Sequence, residues 1–226
     1  MITTLSLLPE PARATDLAYT FLDFDALNSS VDAAGTQAPV PDQTVSAETG
    51  SGKGVAVAGS FAVGTRFYVG GLFRSSIIGV TTAVTSPFAV STIDDKFDVT
   101  LGRLAFGYVH PIGDQLDLVV EVGYESANYD FGSLAGENFD LQTSGAGAQL
   151  GFRWKPLRAL EVYAFGRYSP AGKSDLSTGQ FESDTLFNAG FRRYFFDTLG
   201  FGVEFESGEV NTTTISMRFS FGKLPL

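Results

Sequence analysis

The sequence predicts an all-β chain that closes into an antiparallel, up-and-down barrel across a membrane, with about ten strands and eight as the alternative. Three observations carry this. Segments of roughly 8–12 residues alternate large apolar with small or charged side chains, the period-two signature of a strand with two unlike faces. The connections between them are long and short in turn. The composition is 44% hydrophobic and only 18% charged, yet no run reaches the ~18 consecutive apolar residues of a spanning helix. A chain that is apolar on average but never continuously so suits strands in a bilayer.

In chain order, LAYTFLDF (residues 17–24) reads as a first strand, with Leu17, Tyr19 and Phe21 on one face and Ala18, Thr20 and Leu22 on the other. Residues 28–53 are polar, aperiodic and rich in turn formers, and read as a loop. The second strand, residues 54–63, sets Val55, Val57, Phe61 and Val63 against Ala56, Ala58 and Ser60. The third, 66–74, sets Phe67, Val69 and Phe73 against Tyr68, Gly70 and Leu72. Only Gly64 and Thr65 separate them. Residues 75–96 form a less polar loop that could prolong the strand.

The clearest hairpin is LAFGYVHPIGDQLDLVVEVGY, residues 104–124. Leu104, Phe106 and Tyr108 form one face of its first arm; Leu118, Val120, Val122 and Tyr124 form the same face of its second. Ala105, Gly107, Asp117, Val119, Glu121 and Gly123 lie on the other. After a loop at 127–143, strands at 145–154 and 160–168 flank a short turn at 155–158. After another loop at 169–184, strands at 185–195, 199–206 and 214–221 complete the set, joined at Asp197-Thr198 and by a short loop at 207–211.

Which face meets lipid follows from side-chain size. One set of rows holds Phe, Tyr, Leu, Val and Trp. The other holds Gly, Ala, Ser and Thr with Arg and Glu among them, and Lys is nearly absent from the strands. Small residues with a few charges suit the crowded lumen of a narrow barrel. Leu104, Phe106, Tyr108, Leu118, Val120, Val122, Tyr124, Phe201 and Phe219 are therefore expected to face lipid, with Phe219 at mid-bilayer. Tyr108, Tyr124, Trp154 and Tyr168 fall near strand ends, where aromatic girdles sit. The soluble, lipocalin-like alternative would turn these rows inward.

The small-residue rows carry Arg103, Arg153, Arg167, Arg192 and Arg218 together with Asp117, Glu121, Glu125, Glu161, Glu204 and Glu206. Unpaired buried charge is costly, so these are expected to form a salt-bridge lattice that fills the lumen. With the hairpin turn centred near Gly113, Arg103 falls opposite Gly123 and diagonal to Glu121 and Glu125. Glu204 and Glu206 are expected to meet Arg192 or Arg218. A charged constriction in a narrow pore is the functional alternative.

Short turns at one end and long connections at the other match barrels of the bacterial outer membrane. The chain resembles the small outer-membrane β-barrel proteins of Gram-negative bacteria, in particular barrels once described as secreted quorum-sensing factors. The likeness rests on LAYTFLDF, LAFGYVHPIGDQLDLVVEVGYE and LGFGVEFESGE in that order, and on a last strand whose Ile215, Met217, Phe219 and Phe221 resemble an insertion signal ending in an aromatic. The tail at 222–226 departs from it. The resemblance implies an outer-membrane location, contact with lipid and lipopolysaccharide, and insertion by the barrel assembly machinery. A monomer is expected. Residues 1–14 read as a signal-peptide remnant or a disordered arm, with Ala12-Arg13-Ala14 as the cleavage pattern. Residues 15–226 are then a single barrel domain.

Signals for catalysis are weak. The single histidine, His110, lies in a short turn beside Pro111, away from the rim where hydrolytic barrels hold their dyads. With no cysteine, thiolate catalysis and zinc–thiolate sites are excluded, and no cofactor or metal motif is present. A net charge of −10 argues against nucleic acid, which requires a basic face. The sequence thus points to a non-enzymatic barrel with a structural or loop-mediated recognition role, a narrow passive pore being the alternative.

Overall fold

The computed structural model describes residues 18–31, 36–40, 43–47, 50–86, 89–134, 137–175, 180–196, 198–208 and 210–221. The proposed signal remnant and the tail at 222–226 lie outside these residues. Ten strands close into a ring: β1 (Phe21–Val31), β4 (Gly50–Val63), β5 (Phe67–Ser86), β6 (Ala89–Pro111), β7 (Leu116–Leu134), β8 (Glu137–Leu157), β9 (Leu160–Asp175), β10 (Gln180–Phe196), β11 (Leu199–Ser207) and β12 (Val210–Ser220). Each pairs antiparallel with its sequence neighbour, and β1 closes the seam against β12. Two short strands, β2 (Thr36–Val40) and β3 (Gln43–Ala47), form an extra hairpin between β1 and β4, with β3 laid along the far end of β5.

The register fixes the barrel's shape. One row runs from Asp117 through Arg153, Tyr163, Gly190, Glu204, Thr214, Leu27, Gly54, Ser76 and Val99. It returns to β7 at Tyr129, a shear of 12 residues (129 − 117). Ten strands with that shear tilt by about 40° and enclose a backbone radius of about 10 Å. At that radius side chains fill the interior.

At the short-turn end Gly64 and Gly113 take φ of 73° and 81°, the left-handed region where a Cβ is strained. At the other end the stretches expected as loops are largely strand. Ser86 faces Ala89, Leu134 faces Glu137 and Asp175 faces Gln180, so the ladders run almost to the hairpin tips. Above a bilayer no apolar outer row is needed, which removes the alternation that marks a strand; backbone pairing continues without it. These tall hairpins also hold an apolar interior of Ile78, Ala127 and Leu141, with Phe97 and Tyr129 stacked at 6.1 Å.

The outer face is apolar. Leu104, Phe106, Leu118, Val120, Val122, Tyr124, Phe201 and Phe219 are 36–64% exposed, and Tyr108 lies on the same side against Phe67. Phe219 pairs with Leu22 and Leu199 at the starts of their strands. It sits toward the short-turn rim, not at mid-height, because the hairpin turn and strand tilt place the belt's middle near Phe106 and Leu150. Inside lie the small and charged rows, the reverse of a lipocalin. The interior is less uniformly small than the sequence suggests: Tyr68, Tyr163 and Leu186 are buried in it, and Tyr19, Phe21 and Phe165 line its cavity.

Candidate functional site

The site is the lumen, and the shear orders its charges. A hydrogen-bonded row climbs about 1.2 residues per strand relative to the membrane plane, and each residue adds roughly 2.5 Å of height at this tilt. With that correction the arginines fall into two levels, Arg153, Arg192 and Arg218 below and Arg74, Arg103 and Arg167 above, and the carboxylates group with the arginines they meet.

The lower level centres on Glu161, 1% exposed. Arg153 Nε donates to its Oε1 at 2.8 Å and the Tyr194 hydroxyl to its Oε2 at 2.7 Å. Arg192 and Arg218 approach it at 3.8 and 4.0 Å. Arg218 also forms a two-pronged pair with Asp23 across the β1–β12 seam, its Nε at 2.7 Å, and lies over the Phe21 ring at 3.4 Å. Arg192 reaches the same carboxylate at 3.4 Å. Arg153 covers Tyr19, whose hydroxyl donates to Asp117 at 2.8 Å. Each guanidinium is planar and multiply donating, which suits one carboxylate serving several strands.

The upper level holds two groups. Arg103 donates to Glu121 at 2.8 Å and to Gln149 at 2.9 Å, and its Nε lies 3.3 Å from Glu125. Tyr68 donates to the other oxygen of Glu121, and Ser169 to Glu125 at 2.6 Å. Glu206 takes Arg74 on one oxygen at 2.8 Å and Arg167 on the other at 2.9 Å. Between the levels lie Asp25, Glu204 and Asn188, around a cavity of about 200 Å³. Six arginines and six carboxylates line that cavity.

Several expectations need correction. The β6–β7 hairpin is centred one residue later than Gly113, so Arg103 faces Glu125 directly and not Gly123. Glu206 meets Arg74 and Arg167, not Arg192 or Arg218, because it points to the upper level. Glu204 meets no arginine among the described residues; its neighbours are the Asn188 amide, at 3.5 Å, and the Tyr163 hydroxyl. Asp117 is bonded by Tyr19. Asp23, Asp25 and Arg74 were not anticipated. Arg74 shares the inward parity of Tyr68, Gly70 and Leu72, which would have placed it. Asp23 and Asp25 share parity with Tyr19 and Phe21, whose size suggested the opposite face.

No protein-family model and no curated protein matches the chain. The comparison with solved structures does find likenesses. The β domain of the Bordetella autotransporter BrkA matches with a TM-score of 0.51 at 12% identity, over 91% of this chain and 100% of that one. The chain has the fold of an outer-membrane β-barrel. The translocator domain of the autotransporter NalP from Neisseria meningitidis matches at 13% identity and a TM-score of 0.49, over 93% of this chain and 91% of that one. At such identity the likeness concerns the path of the backbone alone. Among the described residues of this barrel, no group of three or more histidines, cysteines or acids is placed to hold a metal ion.

Proposed function

We propose that the protein is a non-enzymatic integral outer-membrane barrel whose lumen is closed by its own ion pairs, and that it acts structurally or through recognition by its tall hairpins. The observation that carries this is the pairing of an apolar outer belt with a charge-filled interior of about 10 Å backbone radius. The belt spans about ten residues of height, or roughly 25 Å, the thickness expected of a barrel's lipid-facing band. In this reading lipid and lipopolysaccharide surround a monomer inserted by the barrel assembly machinery, as the sequence resemblance to barrels once described as quorum-sensing factors also implies. His110 supports a non-catalytic role: it is exposed at the short-turn end, with its side chain on the outer face.

The test is conductance. Purified barrel in planar bilayers at neutral pH should insert without resolved single-channel steps. Reproducible unitary steps would overturn the closed lumen in favour of a narrow pore, for which the cavity between the ion-pair levels is the favouring observation. Recovery of the mature chain in the aqueous fraction without detergent would overturn the membrane reading altogether.

A further inference from the structure

Every inward carboxylate of the lower and upper levels has an arginine or tyrosine donor. The two between them have no arginine partner among the described residues. Among the described residues Asp25 has no ion pair and its Oδ1 has no hydrogen-bond partner, and Glu204 has neutral neighbours only, the Asn188 amide at 3.5 Å and the Tyr163 hydroxyl. They are neighbours: Asp25 stands opposite Ser216 on β1, Glu204 opposite Thr214 on β11, with β12 between, and each lies within the electrostatic reach of the other. The arginines above and below are already engaged by Asp23, Glu161, Glu206, Glu121 and Glu125.

A second observation points the same way. Tyr163 is only 5% exposed and lines the same cavity; its hydroxyl lies beside Glu204 but, among the described residues, has no acceptor in good hydrogen-bond geometry, and the Asn188 Oδ1 is likewise buried and unpartnered. Buried polar atoms are normally satisfied. Here three orphaned oxygens of different chemical type, a carboxylate, an amide and a phenol, border one space beside a second carboxylate.

We propose that this mid-lumen compartment binds a small monovalent cation of the sodium or potassium class. The donors are all oxygen, the preference of hard cations. Two carboxylates supply charge and the neutral Asn188 and Tyr163 oxygens add to them; four protein oxygens fall short of the roughly six to eight that calcium takes. The proposal rests on the lumen geometry and holds whether or not the barrel conducts.

Two measurements test it on the full barrel. Crystals of the wild-type protein in detergent, soaked in thallium(I), should give an anomalous peak between Asp25 and Glu204; no peak there at saturating thallium overturns the site. In solution, replacing N-methylglucamine chloride by sodium or potassium chloride at constant ionic strength should raise the unfolding midpoint saturably. Asp25→Asn with Glu204→Gln should abolish that difference, while Glu121→Gln should retain it. An equal midpoint in all three salts, or a difference that survives the double substitution, means the compartment holds water or a shared proton and sinks the proposal. Conductance failing or appearing in the separate bilayer test leaves these outcomes unchanged.

Discussion

Glu161 shows how much one side chain can carry when water is excluded. Three arginines and a tyrosine converge on it from three other strands. Removing one partner from such a cluster leaves charge uncompensated, so Glu161→Gln should cost about 3–5 kcal/mol of unfolding free energy. Glu121→Gln, at a more exposed pair with one arginine, should cost less. Urea unfolding of the refolded barrel in liposomes checks the order, and equal losses would refute it. On the outer face, Phe106→Arg at mid-belt should cost roughly 2–4 kcal/mol and Phe219→Arg near the rim about 0–1 kcal/mol; a larger loss at Phe219 would contradict the depths derived from the register. At this scale the charged residues themselves were legible from parity. Their partners were not, because the best pairs lie far apart in sequence, Asp23 and Arg218 being 195 residues apart.

Between neighbouring strands, glycine and aromatic residues work as pairs. Tyr68 faces Gly107, Tyr163 faces Gly190, Phe165 faces Gly151 and Tyr194 faces Gly200. In the first three pairs a Cβ added to the glycine would run into the opposing ring, and at Gly200 it would press on both Tyr194 and Arg192. The missing side chain is the space in which the ring lies, and the ring shields the bare backbone in return. Gly107→Val should therefore displace Tyr68 from Glu121 and cost about 1–3 kcal/mol. Gly102→Val on the same strand, where nothing lies within 4 Å of the new carbon, should cost little. Comparable unfolding midpoints for the two variants would refute the pairing. The sequence displayed these glycines as small lumen residues, but which ring each one serves depends on register, and register depends on where every turn is centred. The hairpin ends escaped notice for a related reason: strand content was legible only where a bilayer enforces alternation.

For the molecule as a whole, the closed ring was legible because lipid offers no partner to a free sheet edge, and ten strands follow from counting alternating segments. The shear was not legible, since it accumulates over every pairing around the circuit. The hairpin β2–β3 lies outside that circuit, and β1 pairs β4 directly from Phe21–Ser60 to Val31–Gly50. Replacing residues 32–49 by a short turn should leave a barrel that folds, read as the same shift in electrophoretic mobility on heating that the full chain gives. Loss of folding would show that the hairpin belongs to the closure.

The seam between β1 and β12 has one more consequence. Asp23 stands in the first strand of the barrel, and Arg218, its two-pronged partner, in the last. A chain arrested before its final strand leaves that acid, among the described residues, with the longer Arg192 contact alone, at 3.4 Å. Electrical balance and mechanical completion thus arrive in one event, and an unfinished cylinder stays marked by its own charge.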